Sequence, residues 1–323
     1  MTTVRLRYSF AASVAASLIT GCGHAGPPMG DQPIGAFRAG SAERRLADTT
    51  YKVDGPLLYV TNYTAHYNDV TVYRARLRDP DPIATISDGI DTPAGDCTDS
   101  QGTLYVTNEP INGPGWVSEY PIGKTSPSET ITVGVNTPAF CAIDAKDDLW
   151  VTNIASANVT EYKAGSKKPS MVITDGVPDP DGIAIDHRGN LYVSNGLGGG
   201  GSTINVVVYP PGKRSPSRTI TDSVRSPVGI AVDSGGTLYV TNASENNIEK
   251  YRYGKSHPYQ IITEAINGPF GVTVSKQGWL YVANNGNNVV LEFPPGSTEP
   301  SRRQISKGLY TPVSMAYFPP LLP

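Results

Sequence analysis

Histidine, charge and long apolar runs are all scarce in this 323-residue chain. Lysine and arginine number 26 against 29 aspartates and glutamates, so nothing in the charge balance suggests a nucleic-acid-binding domain, which would normally be strongly basic. The apolar stretch at residues 10–19 is too short to span a bilayer as a mature helix. The G-x-S-x-G pattern of serine hydrolases is missing. Only four histidines are present, which argues against a multi-histidine zinc centre.

Glycine, proline and tyrosine are, by contrast, abundant. The chain has 34 glycines, 28 prolines and 18 tyrosines, whereas it has only 6 phenylalanines. Glycine and proline favour turns, and tyrosine, valine and threonine favour strands. The composition therefore predicts an all-β protein.

The first 22 residues have the pattern of an export signal. Arg5 and Arg7 precede the apolar stretch, which ends in LITGC at residues 18–22. This ending resembles a bacterial lipobox, in which small residues precede a cysteine that is lipidated; an ordinary secretory signal is the alternative. The resemblance implies a signal peptide at residues 1–21 and a lipid on Cys22, and hence a protein of the cell envelope that faces outside the cytoplasm.

Two further expectations follow from the lipobox. In a Gram-negative cell, Gly23 after the cysteine would favour the outer membrane. Residues 22–50 show no helical or strand period, and we expect them to form a flexible tether between the lipid and the folded domain.

One sequence unit recurs six times from residue 57 onward. Its most recognisable part is a LYVTN-like pentapeptide, and successive copies start 42 to 47 residues apart, which is typical of propeller blades. The six copies begin at Leu58, Leu104, Leu149, Leu191, Leu238 and Leu280.

Each unit contains three further strand-like segments. A proline-led segment precedes the pentapeptide, a V-x-x-Y segment follows it, and a segment ending in Ile-Thr or Ile-Ser completes the unit. Four short strands in each of six units predict an all-β, six-bladed β-propeller over residues 51–323. The first unit lacks its proline-led strand, and residues 312–317 form an orphan one. We expect this C-terminal segment to dock as the innermost strand of the first blade and close the ring.

The P-x-G-I-A-I-D…G-x-L-Y-V-T-N pattern over residues 57–318 resembles NHL-type propellers, which are related in shape to the SMP-30/gluconolactonase and streptogramin-lyase groups. The resemblance implies a six-bladed fold. It does not imply one activity, because such propellers include enzymes, ligand-binding proteins and docking platforms.

Irregularities of the repeat fall on one predicted face. We call this the top face, and it contains the loops between second and third strands and the loops that lead into each inner strand. The bottom face contains the other turns. The second-to-third loops are longest in units one, two and four, and insertions in a repeat fold usually carry binding. Phe140, Asp181 and Phe270 lie within two residues after prolines that open inner strands, so we expect them near the channel mouth.

The predicted ligand-binding set is aromatic and acidic, and it suits a sugar, a peptide or a protein loop. Ordinary solvated loops are the alternative. The residues of the set are Tyr63, His66, Tyr67, Glu109, Trp116, Phe140, Asp179, Asp181 and Phe270.

Basic residues concentrate in the turns between third and fourth strands, on the bottom face. One hypothesis is that this basic rim contacts anionic lipid while acidic top loops face outward; simple solvation of turn residues is the alternative. The rim consists of Arg76, Arg78, Lys124, Lys167, Lys168, Lys213, Arg214 and Lys255.

No constellation in the sequence predicts catalysis, a cofactor or a metal. Of the four histidines only His66 is expected on the top face, so a histidine acid–base pair does not fit there. A calcium or magnesium site built from Asp179, Asp181 and strand-end asparagines is an alternative. The asparagines that end the six pentapeptides are predicted to hold turns by hydrogen bonding.

Cys97 and Cys141 fall in inner strands of adjacent units, one position out of register. Neighbouring positions on a strand point to opposite sides, which is the orientation that two cysteines would need to meet across a blade boundary. A disulfide, which is permitted outside the cytoplasm, and two buried free thiols are both compatible with this placement.

The sequence thus predicts an exported, lipid-anchored propeller that acts as a non-catalytic binding platform through its top face. Its expected partners are the membrane, through the lipid, and an unidentified protein, peptide or carbohydrate, but not nucleic acid. Two alternatives are a metal-dependent lactonase or lyase similar to the SMP-30 and streptogramin-lyase groups, and a structural component of the envelope.

Overall fold

The computed structural model describes residues 50–63, 68–196 and 203–318, and this part of the chain is built almost entirely from short antiparallel strands. One 3-10 turn, Asn285–Asn287, interrupts them. None of the described helical segments has the length and apolar character needed to cross a membrane.

The strands form six sheets, each used as one blade. Blade 1 contains β1 (Leu57–Tyr63), β2 (Asn68–Arg74), β3 (Ala84–Ile86) and β23 (Pro312–Phe318). Blade 2 contains β4 (Pro93–Thr98), β5 (Leu104–Asn108), β6 (Trp116–Tyr120) and β7 (Glu129–Ile131). Blade 3 contains β8 (Pro138–Ile143), β9 (Leu149–Asn153), β10 (Asn158–Tyr162) and β11 (Pro169–Ile173).

The remaining blades follow the same order along the chain. Blade 4 contains β12 (Pro180–Ile185), β13 (Leu191–Asn195), β14 (Asn205–Tyr209) and β15 (Arg218–Ile220). Blade 5 contains β16 (Pro227–Val232), β17 (Leu238–Asn242), β18 (Asn247–Tyr251) and β19 (Pro258–Ile262). Blade 6 contains β20 (Pro269–Val274), β21 (Leu280–Asn284) and β22 (Val289–Phe293).

The prediction of a six-bladed propeller is confirmed, with one local difference. The fourth strand of blade 6 is reduced to a single bridge between Val290 and Ile305. The inner strands contact one another in a closed cycle, from β23 through β4, β8, β12, β16 and β20 back to β23.

The C-terminal strand closes the ring as predicted. It pairs with β1 in antiparallel register, from Leu57 opposite Phe318 to Asn62 opposite Pro312. Residue 312 is more than 200 positions away from β1 in sequence, so this pairing joins the two ends of the described domain.

Alternate residues of each second strand serve two blade interfaces. On β5, Leu104 and Val106 pack in an apolar cluster with blade 1, whereas Tyr105 packs with residues of blade 3. Both sides of the strand are therefore buried, which explains why the pentapeptide shows no alternation between apolar and polar residues.

A hydroxyl near the end of most second strands links adjacent blades. The Thr241 hydroxyl accepts the Gly229 N–H at 2.9 Å and donates to the Phe270 carbonyl of the next blade at 2.7 Å. Thr107, Thr152 and Ser194 also donate to a carbonyl of the following inner strand. In blade 6 the position is occupied by Ala283, so the seam beside the closing strand lacks this link.

Candidate functional site

The closing segment and the end of β1 meet on the top face. Asn62 Oδ1 accepts the Tyr310 N–H at 3.0 Å, and the Tyr63 N–H donates to the Thr311 carbonyl at 3.3 Å. The backbones of Tyr63 and Tyr310 therefore lie close together at the junction of the two chain ends. Tyr310 is 46 % exposed.

Acidic side chains of blade 2 lie near Tyr63. Burial raises the pKa of Tyr63, and the nearby negative charges of Glu109 and Asp91 raise it further. The Glu109 N–H donates to the Thr92 carbonyl at 2.9 Å, which holds the start of the blade 2 loop beside the loop that carries Asp91.

The blade 2 loop also presents an apolar side chain to solvent. Ile111, two residues after Glu109, is 71 % exposed. The Pro114 carbonyl accepts the Thr137 N–H, so the far end of the loop rests against blade 3. We call the set Tyr63, Asp91, Glu109, Ile111 and Tyr310 the top patch.

Trp116 supports the loop of the top patch from below. Its indole Nε1 donates to the Ser118 hydroxyl at 3.0 Å and lies 3.3 Å from the Gly89 carbonyl. The side chain is half-buried at the start of β6. Trp116 thus contributes more to the shape of the loop than to its exposed surface.

Phe140, Asp181 and Phe270 lie in the inner strands β8, β12 and β20. All three are buried, and the carbonyls of Asp181 and Phe270 accept the hydroxyl links between blades. Phe140 occupies the position that is Gly182 in blade 4, where a Cβ atom would lie 2.2 Å from the Val228 carbonyl. Their low exposure leaves little of these side chains available to a ligand, and their place near the channel mouth stays a prediction.

Asp179 binds the residues that flank a loop of blade 4. Its carboxylate accepts the Thr203 N–H at 3.2 Å, and its carbonyl accepts the Gly196 N–H at 3.1 Å. The two bonds join both ends of the loop at residues 197–202, which itself lies outside the described residues. His66, Tyr67 and Cys22 also lie outside them.

The six strand-end asparagines mostly hold turns, as predicted. Asn108, Asn153, Asn242 and Asn284 each accept a backbone N–H of the loop that enters the inner strand of the same blade. Asn195 differs, because its amide donates to the Gly176 carbonyl. These asparagines are therefore explained by local structure.

A cavity of about 210 Å³ occupies the bottom half of the central channel, between all six inner strands. Its wall includes the Cys97–Cys141 disulfide, whose Cα atoms are 5.8 Å apart. Asp96 also lines it; one carboxyl oxygen accepts the Ala316 N–H at 3.1 Å, and the other has no partner among the described residues. Burial raises the pKa of Asp96 to about 7.

Among the described residues, Asp144, Asp148 and Glu161 form the group of acids close enough to share a cation. The Lys163 ammonium already serves that role, at 2.9 Å from Asp148 and 2.7 Å from Glu161. Hydrogen bonds to these two carboxylates raise the pKa of Lys163. We therefore interpret the group as an internal ion pair of blade 3.

Comparisons with known proteins support the fold alone. No protein-family model and no curated protein matches the chain. A chain in the crystal structure of a nidogen/laminin complex is similar over 81 % of this chain and 98 % of that chain, with a TM-score of 0.66 and 16 % identity. A protein of unknown function from Bacteroides caccae is similar over 82 % of this chain and 99 % of that chain, with a TM-score of 0.64 and 9 % identity. The finer resemblance to NHL and SMP-30 propellers stays a prediction.

Proposed function

We propose that the chain is an exported, lipid-anchored β-propeller of NHL-like type that binds a protein or peptide partner through the top patch and performs no catalysis. The observation that carries the proposal is the exposure of Ile111 and Tyr310, with the half-buried Tyr63 and two carboxylates nearby, at loops that depart from the repeat. Propellers commonly act as protein-binding platforms, and loops on one face of a repeat fold are where such binding occurs.

The chemistry of the top patch favours a partner that is partly apolar and partly basic. Tyrosine supplies a rigid apolar surface with one polar end, which suits interfaces. Asp91 and Glu109 add negative charge at the border, where it would favour association with a basic segment. Aromatic and acidic groups would also suit a sugar, but the 71 % exposed Ile111 has no role in carbohydrate stacking and favours a protein surface.

A photo-crosslinking experiment tests the top patch. A benzoylphenylalanine introduced at Ile111 is expected to give one discrete crosslinked species in cells that naturally produce the protein. The double substitution Tyr63→Ala and Tyr310→Ala should remove most of that species, with unchanged urea unfolding as the check on the fold. The matched control is the same probe at Glu245, on the short top loop of blade 5; equal crosslinking from positions 111 and 245 would contradict the proposal.

Cys22→Ala tests the anchor. Without the thiol no lipid can be attached, and a single acyl chain already adds about 0.8 kcal/mol of membrane affinity per buried CH₂ group. We expect the wild type in the membrane fraction with incorporated radiolabelled palmitate, and the variant unlabelled and mostly soluble outside the cytoplasm. If the wild type carries no label and both proteins are distributed in the same way between the membrane and soluble fractions, an ordinary secretory signal is the explanation.

A further inference from the structure

The basic residues on the bottom face are not equivalent. Two lysines of blade 3 are paired with acids: Lys167 of the rim forms a salt bridge with Glu129, and Lys163, which begins the same turn, lies between Asp148 and Glu161. The charges of Lys163 and Lys167 are largely cancelled locally, so these two lysines attract anions weakly.

In blades 4 and 5 the basic residues keep their charge. Among the described residues, none of the exposed cations Arg188, Lys213, Arg214, Arg252 and Lys255 forms a salt bridge with an acid. Together with Tyr253 and Tyr259 we call them the basic face.

The members of the basic face are held together by contacts across the boundary between blades 4 and 5. The Arg188 guanidinium lies 4.2 Å from the centre of the Tyr253 ring, which joins a turn of blade 4 to a turn of blade 5. Arg218, on the last strand of blade 4, donates to the Lys255 carbonyl at 2.8 Å. The two turns therefore present one continuous surface.

Aromatic rings on this surface hold cations without neutralising them. The Arg252 guanidinium lies 4.7 Å from the centre of the Tyr259 ring. Tyr253 and Tyr259 are nevertheless 45 % and 42 % exposed. Amphipathic rings of this kind are enriched at the level of lipid headgroups, where an apolar body and a polar end are both satisfied.

The point where the chain enters the propeller indicates which face lies nearest the lipid predicted on Cys22. Thr50 forms a bridge with Lys124, and the Tyr51 N–H donates to the Gly123 carbonyl, so the chain enters the propeller at a bottom turn of blade 2. Cys22 precedes Thr50 by 28 residues, and the flexible tether predicted from the sequence for this segment would have an end-to-end distance of about 30 Å. A lipid on Cys22 would thus keep the bottom face within reach of the membrane.

We propose that the basic face of blades 4 and 5 docks directly on an anionic lipid surface, with Tyr253 and Tyr259 at headgroup level, so that the top patch is presented away from the membrane. This orientation rests on the anchoring that is part of the proposed function. The attraction itself does not, since it is a property of the folded domain and acts without the lipid.

The test uses residues 23–323, which lack the signal peptide and Cys22, in flotation with phosphatidylcholine vesicles that contain or lack phosphatidylglycerol. We expect binding only to the anionic vesicles, with an affinity that falls as salt is added. Each basic residue near an anionic surface strengthens binding roughly fivefold, so Arg252→Gln with Lys255→Gln should weaken it by more than about tenfold.

The matched control compares single variants: Lys167→Gln should change the binding by less than about twofold because Lys167 is paired, whereas Arg252→Gln, which removes the same charge, should weaken it about fivefold. Equal losses from these two single variants would mean that net charge alone acts, and would overturn the proposal. Absence of binding to anionic vesicles at low salt would overturn it as well. Neither result bears on crosslinking at Ile111, so the two proposals fail separately.

Discussion

Deletion of residues 312–323 is expected to abolish the cooperative fold of the propeller. Val313, Met315 and Tyr317 of β23 are buried, and burial of each such side chain contributes about 1.5–3 kcal/mol. Their sum is comparable to the total stability of a typical domain, about 5–15 kcal/mol. The deletion also exposes the edge of β1, which would favour association of the chains. Near-ultraviolet circular dichroism and urea unfolding should show loss of the cooperative transition.

A circular permutant separates loss of the strand from loss of the C-terminus. Residues 312–317 are moved to the N-terminal side of Leu58 and joined to it by a copy of residues 99–103, the turn that links the same strands in blade 2. In that turn Asp99 Oδ1 accepts the N–H groups of Gln101 at 2.9 Å and Thr103 at 2.8 Å, so the turn carries its own hydrogen bonds. The permutant, ending at residue 311, should regain cooperative unfolding. A deletion that unfolds like the wild type would show that β23 does not close the ring.

Raising the pH from about 5 to about 8 should destabilise the folded domain. Burial raises the pKa of Asp96, Glu249 and Glu292 to about 7, above their usual values near 4. A raised pKa in the folded state means that protonation favours folding, so this stabilisation is present at acidic pH and is lost as the pH rises through 7. The loss over this interval is on the order of 2 kcal/mol for each group.

Glu292 gives the sharpest test of this pH dependence. It is 0 % exposed, and neither carboxyl oxygen has a hydrogen-bond partner among the described residues. Glu292→Gln keeps the shape and removes the titration, so urea midpoints measured at several pH values should show roughly a third less decline. Glu299→Gln, at an exposed position, is the control and should leave the decline unchanged. A Glu292→Gln variant with the full decline would contradict the assignment of a buried protonated carboxyl.

The fold follows from the sequence because repetition constrains it strongly. The LYVTN-like pentapeptides became the second strands of all six blades, and the missing proline-led strand of the first unit pointed to β23. The turn chemistry was readable too: Gly189 has a φ of 80°, and Asp147, which stands at the same position in blade 3, has a φ of 61°. These features depend on residues that are close together in the sequence, and the repeat presents that local pattern six times.

The candidate site was less predictable because it depends on contacts between blades. Ile111 carries no motif, and its exposure follows from a loop that rests on blade 3. Phe140 was expected near the channel mouth, but nothing in its local sequence indicated that its side chain would be buried. Lys167 and Arg252 look alike in sequence, and only the structure shows that one is paired with an acid and the other lies over a tyrosine ring. The unequal lengths of the second-to-third loops indicated that the top face could bind a partner. The residue types alone did not indicate which residues form the top patch.

Hydrogen exchange of the full lipidated protein tests the binding platform most directly, measured in native membranes and again after purification in detergent. In membranes, where the partner is present, the loops at residues 108–116 and 307–311 should exchange more slowly, whereas the short top loop at residues 242–247 should exchange equally in both. This result would locate the partner on the top patch. Identical exchange of the top-patch loops in the two preparations would contradict the assignment of this face to partner binding.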